Sequence, residues 1–293
     1  MGKIIVLLGL ALMACGVLGE PAIVVKFGRG PAIGTSYYFT MPLTLSSAID
    51  DYGWIEYESP VSVLPNIRLY CAPEGVWVCI FYEDNGLPAG LQIAAEKSKF
   101  NGKVLDWDIQ GYTSWSVEVQ GVVREYWTTQ QYYMSKELLE LSCEDRLAAY
   151  DTTDLLQGAL WVSGFNRELR EIPKTGKGML ADGFYLHNCI PGMGYHYYYN
   201  MTEELVCGSD TLVPWAPMTR DDKVIGVVLN MIGKIKLDAG EKNYYEDPTV
   251  AAIRSIVSTG PQCLYDAATT PGLTTMHVFY VTKPNLITCP KKV

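Results

Sequence analysis

Short runs of β-branched and aromatic residues recur through the first half of the chain, with turn-forming residues between them. They lie at residues 23–27, 36–41, 52–57, 76–82, 112–119 and 122–126. Strands of this length and spacing are typical of an antiparallel sandwich or barrel. The strongest local signal is the turn Glu83-Asp84-Asn85-Gly86, because Asn-Gly favours the positive φ angles of a tight hairpin. We predict a mainly β fold of sandwich- or barrel-like modules with a few helices, or alternatively an α+β fold.

Two segments have helical patterns instead. Residues 136–150 combine good helix formers with apolar residues three and four positions apart. A second helix is predicted to begin at Asp247, with Pro248 in its first position, and to end at Gly260-Pro261.

These elements suggest a division of the chain. Residues 20–135 form a first β-rich module, residues 136–165 a helical connection, and residues 166–293 a second β-rich module with one helix. A single domain over residues 20–293 is the alternative.

An internal repeat supports the two-module interpretation. A shift of 136 residues places Leu69 on Leu205, Cys71 on Cys207 and Gly90 on Gly226. Between these points, both copies run from an apolar strand through a polar turn to a second apolar strand. The repeat predicts two similar β units.

The N-terminus is typical of a secretory signal peptide over residues 1–19. Lys3 precedes an apolar run at residues 4–13, and small residues lead to a cleavage site before Glu20. No later run approaches the roughly 18 apolar residues that span a membrane. We predict a secreted, extracellular protein with no membrane partner.

The formal net charge of −9 limits the partners further. Phosphate backbones repel an acidic protein, so we predict no nucleic-acid partner. Other extracellular proteins or a matrix fit better. Paired acids in predicted turns add the hypothesis of weak calcium binding, although ordinary solvated turns are the favoured interpretation. These pairs are Asp50-Asp51, Glu83-Asp84, Asp221-Asp222 and Glu246-Asp247.

An oxidising compartment favours disulfide bonds between cysteines. Removal of the signal peptide would leave an odd number of them, so one thiol is free or joins another chain in a disulfide-linked oligomer. Proximity in sequence suggests the pairs Cys71–Cys79 and Cys189–Cys207. The candidates are Cys71, Cys79, Cys143, Cys189, Cys207, Cys263 and Cys289.

Residues 195–199 read Tyr-His-Tyr-Tyr-Tyr and are predicted to form a strand. Alternation places His196, Tyr198 and Asn200 on one face. Asn200 begins an N-glycosylation sequon, so we predict that this face is exposed and that the odd-numbered tyrosines pack inward. A tyrosine-lined surface for a carbohydrate or another small ligand is the alternative.

The three histidines, His187, His196 and His277, are the candidate metal ligands. Three histidines with an open fourth position would make a catalytic zinc or copper site. Their spacing does not require such a site, so a metal ion is the only cofactor considered.

The common catalytic motifs are absent from the sequence, which favours a non-enzymatic role. We expect a disulfide-bonded, glycosylated structural or interaction protein of the extracellular or shell matrix. The alternatives are a β module that binds a carbohydrate or another small ligand, and a metal-dependent enzyme that uses the three histidines.

Several motifs resemble a family of uncharacterised secreted invertebrate proteins. The similarity extends over about residues 65–290. It implies a secreted, β-rich protein of arthropods or molluscs and brings no assigned activity or catalytic residue. The motifs are Cys189, Gly-Met-Gly-Tyr-His-Tyr at 192–197, Cys207, Gly226, Pro-x-Cys at 261–263 and Thr-Met-His-Val at 275–278.

Overall fold

A computed structural model describes residues 20–27, 37–61, 64–102, 104–239, 241 and 243–290. The predicted signal peptide lies outside these residues, as does the Gly-rich stretch at residues 28–34. In the described part of the chain, no helix is long and apolar enough to cross a membrane.

Most of the regular structure is β-strand, as predicted. In chain order the described strands are β1 (Pro21–Lys26), β2 (Tyr38–Thr40), β3 (Ile55–Tyr57), β4 (Ile67–Cys71), β5 (Val78–Glu83), β6 (Pro88–Glu96), β7 (Phe100–Asn101), β8 (Thr113–Val119), β9 (Val122–Tyr132), β10 (Trp161–Ser163), β11 (Leu169–Glu171), β12 (Phe184–Ile190), β13 (Gly194–Tyr199), β14 (Trp215–Arg220), β15 (Lys223–Ile232), β16 (Lys234–Ile235) and β17 (Leu273–Val281). The described α-helices are α1 (Leu45–Asp50), α2 (Lys136–Leu139), α3 (Cys143–Ala149), α4 (Gly176–Ala181), α5 (Val250–Ile256) and α6 (Gln262–Thr269).

The strands form two large antiparallel sheets. Sheet 1 has the strand order β12-β13-β14-β15-β17-β1-β2. Sheet 2 has the order β3-β4-β5-β6-β9-β10-β11, with β8 paired to β9. Strands from the two ends of the chain therefore share sheet 1, where β1 pairs with β17.

One hydrophobic core joins the two sheets. Ile23 and Val278 of sheet 1 and Ile80 of sheet 2 belong to the same buried cluster. The Tyr280 hydroxyl of sheet 1 donates to Oε1 of Gln131 in sheet 2 at 2.5 Å. Packing of two antiparallel sheets around a shared core confirms the predicted mainly β, sandwich-like fold.

The predicted hairpin is present as β5 and β6, which pair antiparallel. Its turn contains Gly86 at φ +83°, where a side chain would be strained. The helix predictions were less accurate. Residues 136–150 fold as α2 and α3, because the Ser142 hydroxyl accepts from the Asp145 N–H and starts a second helix.

The second predicted helix begins two residues later than expected. Thr249, not Asp247, provides the cap, accepting from the N–H of Ala252, and α5 ends at Ile256. Pro261 then precedes α6, a helix that the pattern did not predict.

The two sheets have the same strand order along their main paths. Each is a seven-strand antiparallel path, and in sheet 1 the final two strands come from the N-terminal end of the chain. The short strands β7 and β16, which follow β6 and β15, pair with each other. The two sheets therefore share one strand order along these paths, and sheet 2 has β8 in addition.

The hairpins β5–β6 and β14–β15 lie at the spacing that the predicted repeat requires. Gly90 and Gly226 occupy similar places, where a Cβ atom would lie 2.5 Å from the Gln131 carbonyl oxygen and 2.3 Å from that of Val278. Cys207 lies in the loop after β13 rather than in a strand matching β4. The alignment of Cys71 with Cys207 is therefore wrong.

Three disulfides are present, and Cys143 is the free, exposed cysteine among the described residues. The predicted pair Cys189–Cys207 is wrong. The C-terminal segment returns beside the turn between β12 and β13, where the Gly192 N–H donates to the Ile287 carbonyl at 2.8 Å. The bonds are Cys71–Cys79, Cys189–Cys289 and Cys207–Cys263.

Removing the long-range bridge should destabilise the protein more than removing the short one. Cys189 and Cys289 are 100 residues apart, whereas Cys71 and Cys79 are separated by 8. Loop-closure entropy predicts losses of about 4–5 and about 2–3 kcal/mol, respectively. Urea unfolding of the two double-serine variants measures both. A larger loss for the Cys71/Cys79 variant would contradict this ranking.

Candidate functional site

The outer face of sheet 1, which points away from sheet 2, brings two histidines together. The ring centroids of His196 on β13 and His277 on β17 are 5.9 Å apart. Strands β14 and β15 lie between them, so a flat sheet would separate their backbones by about 14 Å. In the ladders, Met218 lies beside His196 and Val228 beside His277, so the two rings approach each other diagonally across the sheet.

His187 lies on the same face, opposite β13. Its ring packs edge-on against Tyr198 at 5.6 Å, and Tyr198 stacks parallel to His196 at 6.4 Å. All three predicted histidines therefore gather on one side of sheet 1. Across the described ranges, no set of three or more His, Cys, Asp or Glu side chains is arranged to hold a metal ion.

The predicted exposure of His196 is wrong, because its side chain is 0% exposed. The alternation of faces holds, because Tyr198 packs with His187 and His196. The predicted inward packing of the odd-numbered tyrosines holds only for Tyr197, since Tyr195 and Tyr199 are half-buried. Helices and connecting chain cover the outer face as well. Asn200 is exposed because β13 ends before it, and its φ of +50° turns the chain away.

Three charged or titratable side chains form a buried cluster next to these rings. Glu246 accepts from the Lys26 ammonium group with one oxygen and contacts Nδ1 of His277 with the other. The exposures of Lys26, Glu246 and His277 are 0%, 6% and 4%. Burial, and to a smaller extent the charge of Glu246, raise the pKa of Tyr38 to about 12.

Backbone pairing holds this cluster in place. Lys26 and His277 are direct partners in the ladder between β1 and β17. Glu246 forms an isolated bridge with Thr275, with N–H···O distances of 2.8 and 2.9 Å. Because Thr275 is two residues from His277, the bridge puts the Glu246 carboxylate on the same face.

A cavity of about 310 Å³ lies between the outer face of sheet 1 and helix α5. Most of its surface is apolar, but about half of the lining residues are polar, among them Asn230, Glu246 and His277. Nε2 of His277 is buried and has no hydrogen-bond partner among the described residues. The sheet contributes Val228, Asn230 and His277 to the lining, and the helix contributes Ala252, Ile253 and Ile256.

The position in sheet 2 that corresponds to His277 carries uncharged side chains. There Gln130 lies opposite Gln92, as His277 lies opposite Val228 in sheet 1. The Ser163 hydroxyl donates to Oε1 of Gln130 at 2.7 Å, and Nε2 of Gln130 donates to Oε1 of Gln92 at 3.1 Å. Thr113, bridged to Thr128, corresponds to Glu246. The architecture therefore does not require charges at this position.

The acidic pairs are not all solvated turns, contrary to the favoured interpretation. Glu83 is fully buried and accepts from Nε of Arg146 at 2.7 Å. Glu246 is engaged by Lys26 and His277. In both cases a basic side chain of the protein, Arg146 or Lys26, pairs with the carboxylate.

Comparisons of the chain with protein-family models, with curated proteins and with solved structures found no match. The site is therefore interpreted from its own geometry.

Sequence reasoning missed Lys26 and misplaced Glu246. Lys26 is a single charge at the end of an otherwise apolar strand, and a charge in such a strand signals a buried partner. Glu246 follows two buried tyrosines, Tyr244 and Tyr245, which is a weaker signal that the segment lies inside the protein.

Burial lowers the pKa of His196 to about 3, and the neighbouring His277 acts in the same direction. Burial also lowers the pKa of His187. Neither ring nitrogen of His196 has a hydrogen-bond partner among the described residues. Nearby backbone groups of Asn188 and Gly194 favour the charged ring, but burial has the larger effect on the pKa. His196 is therefore neutral near pH 7.

The protein should lose stability as the pH falls from 7 to 5. In that interval the unfolded chain binds a proton at position 196 and the folded chain does not, so acid favours unfolding. We expect His196 alone to contribute about 2 kcal/mol to the loss. The measurement is the free energy of urea unfolding at both pH values. The control is His196→Gln, which should show a smaller difference; an equal difference in both proteins would refute the assignment.

Proposed function

We propose that this chain is a secreted protein that binds a small, largely apolar molecule in the cavity between sheet 1 and α5. Ligand sites are typically apolar clefts or cavities of about 300–1,000 Å³ with a few convergent polar groups. The cavity beside Glu246 and His277 has this character, and its volume is about 310 Å³.

One observation carries the proposal. A buried charged cluster borders the cavity, whereas the equivalent strand position in sheet 2 holds neutral, hydrogen-bonded side chains. Buried ion pairs are poor stabilising devices, because desolvation offsets much of their attraction. Their presence beside an apolar cavity therefore supports a role in recognition.

The three disulfides support the secreted part of the proposal, because such bonds persist in oxidising compartments. The signal-like residues 1–19 and the exposed sequon at Asn200 support it as well. Mass spectrometry of protein secreted from eukaryotic cells tests both features. A chain that begins at Glu20 and loses a glycan in the Asn200→Gln variant is the expected result.

Filling the cavity should abolish ligand binding without unfolding the protein. Ala252 on α5 lines the cavity and Ala251 is exposed on the same helix. We expect Ala252→Phe to weaken binding of naphthalene, an apolar probe, by at least about tenfold, because the ring occupies the probe's volume. Probe fluorescence measures the affinity, and thermal unfolding confirms the fold.

The matched control is Ala251→Phe, which adds the same ring to the solvent side and should bind naphthalene as the unmodified protein does. Equal affinity of both variants for naphthalene would show that the probe binds outside the cavity. The proposed function would be refuted if the unmodified protein neither binds naphthalene nor carries a co-purified ligand.

A disulfide-linked matrix assembly is the second candidate, and the exposed free thiol of Cys143 favours it. Electrophoresis of freshly secreted protein without reductant should then show a covalent dimer that disappears in Cys143→Ser. A monomer that reacts with a thiol reagent would contradict this assembly.

A further inference from the structure

We infer that an open groove at the β12 edge of sheet 1 binds a neutral oligosaccharide. This site is separate from the cavity between sheet 1 and α5, because, of the described residues, the two share only Ser255 in their linings. The inference goes beyond the proposed function and does not depend on it. It rests on accessible side chains of β12, of the turn between β14 and β15, and of the end of α5.

The groove consists of two clefts that meet at the Cys189–Cys289 disulfide. Their volumes are about 420 and 490 Å³, and both are lined by this disulfide, by Leu186, by Tyr195 and by Pro290. The strand that carries Leu186 and Cys189 is the outermost strand of sheet 1. The groove is therefore elongated and reachable from solvent, which suits an extended ligand.

Covalent and backbone contacts hold the walls of the groove in place. Cys189 pairs with Tyr195 in the ladder between β12 and β13, and its disulfide holds Cys289 of the C-terminal segment beside that ladder. The Gly192 N–H donates to the Ile287 carbonyl and holds the same segment at a second point. A wall that is ordered in advance lowers the entropic cost of binding.

The first cleft, the smaller of the two, presents charged groups at the surface. Arg220 and Asp221 form a pair at 3.3 Å, and their side chains are 23% and 86% exposed. Asp222 is also exposed, and its Oδ1 accepts from the Lys177 N–H at 3.0 Å. These contacts orient a guanidinium donor and two carboxylate acceptors where a ligand can reach them.

The second cleft presents amide and hydroxyl groups. Nδ2 of Asn188 donates to the Ser255 carbonyl at 2.9 Å, which fixes the orientation of the amide and leaves Oδ1 as its acceptor. Ser255, Ser258 and Thr259 are exposed and add hydroxyl groups. Sugar hydroxyls both donate and accept hydrogen bonds, so they match this mixture of donors and acceptors.

Apolar surface lies where the two clefts meet. Leu186 is 47% exposed and Tyr195 is half-buried, and each lines both clefts. A tyrosine ring offers a flat apolar face with a polar tip. A pyranose ring likewise has a face of C–H groups with hydroxyls around its edge. An apolar centre between two polar clefts therefore fits a chain of sugar rings better than a wholly apolar ligand.

The charges of the groove favour a neutral chain. In the first cleft Arg220 is outnumbered by Asp221 and Asp222, and neither lysine nor arginine is among the described residues that line the second cleft. The protein as a whole has a formal net charge of −9. An anionic oligosaccharide would be repelled by this field, whereas a neutral one is not.

The test titrates three neutral hexasaccharides into the unmodified, disulfide-bonded protein by calorimetry. The probes are maltohexaose, laminarihexaose and the hexamer of N-acetylglucosamine. We expect at least one of them to bind with a Kd below about 1 mM, and the corresponding disaccharide to bind at least about tenfold more weakly because it fills one cleft only. Hexagalacturonate, an anionic chain, should bind more weakly than that neutral hexasaccharide.

A matched pair of tyrosine variants locates the site. Tyr195→Ala removes the ring shared by both clefts and should weaken hexasaccharide binding about tenfold. Tyr185→Ala removes a ring that is 45% exposed on β12 and lines neither cleft, so the affinity should stay unchanged. Thermal unfolding checks both folds. If Tyr195→Ala does not fold, Ser258→Trp, which fills the second cleft from an exposed position, should produce the same loss.

The outcomes separate the inference from the proposed function. Absence of binding for all three hexasaccharides would overturn the inference, as would equal affinity of the Tyr195→Ala and Tyr185→Ala proteins. Tighter binding of hexagalacturonate would overturn the assignment of a neutral ligand. Saturating naphthalene should leave the sugar affinity unchanged, and displacement of the sugar would show that it binds in the cavity beside α5 instead. Absence of naphthalene binding alone would bear only on the proposed function.

Discussion

The buried carboxylate of Glu246 joins three parts of the chain that are far apart in sequence. It pairs with Lys26 in the first described strand and with His277 in the last, and its own segment leads into α5. A single partner removed from such a cluster leaves a charge without compensation, at a loss of about 3–5 kcal/mol. The contacts of Glu246 therefore link the pairing of β1 with β17 to the position of α5 over the sheet.

Stability alone does not explain this cluster. Replacing a buried ion pair by uncharged residues of similar volume is often neutral or stabilising, and sheet 2 shows a neutral version within the same molecule. There Gln130, Gln92 and Ser163 satisfy one another by hydrogen bonds. Sheet 2 thus provides an internal reference: two sheets with the same strand order differ in whether this position carries charge.

Local features of the fold were predictable from sequence, and features that depend on distant contacts were not. The β5–β6 hairpin and the Cys71–Cys79 bond follow from turn chemistry and from cross-strand register, which act over a few residues. The partners of Cys189 and Cys207 depend on where the loops and the C-terminus return. The alternation correctly placed His196 and Tyr198 on one face, but alternation does not reveal that α5 covers that face. Strand register likewise brings Lys26 next to His277 without any motif in the sequence.

The difference between the two sheets also explains the cavity between sheet 1 and α5. In sheet 2 the connection from β6 to β9 contains β8, which pairs directly with β9 and extends the sheet. In sheet 1 the corresponding connection from β15 to β17 contains β16, forms the bridge Glu246–Thr275 and then forms α5 and α6. A helix stands farther from a sheet than a paired strand does, because side chains of both elements must fit between them. The same strand order therefore leaves a cavity where the connection is helical, and the charged cluster lies at the point where that connection leaves the sheet.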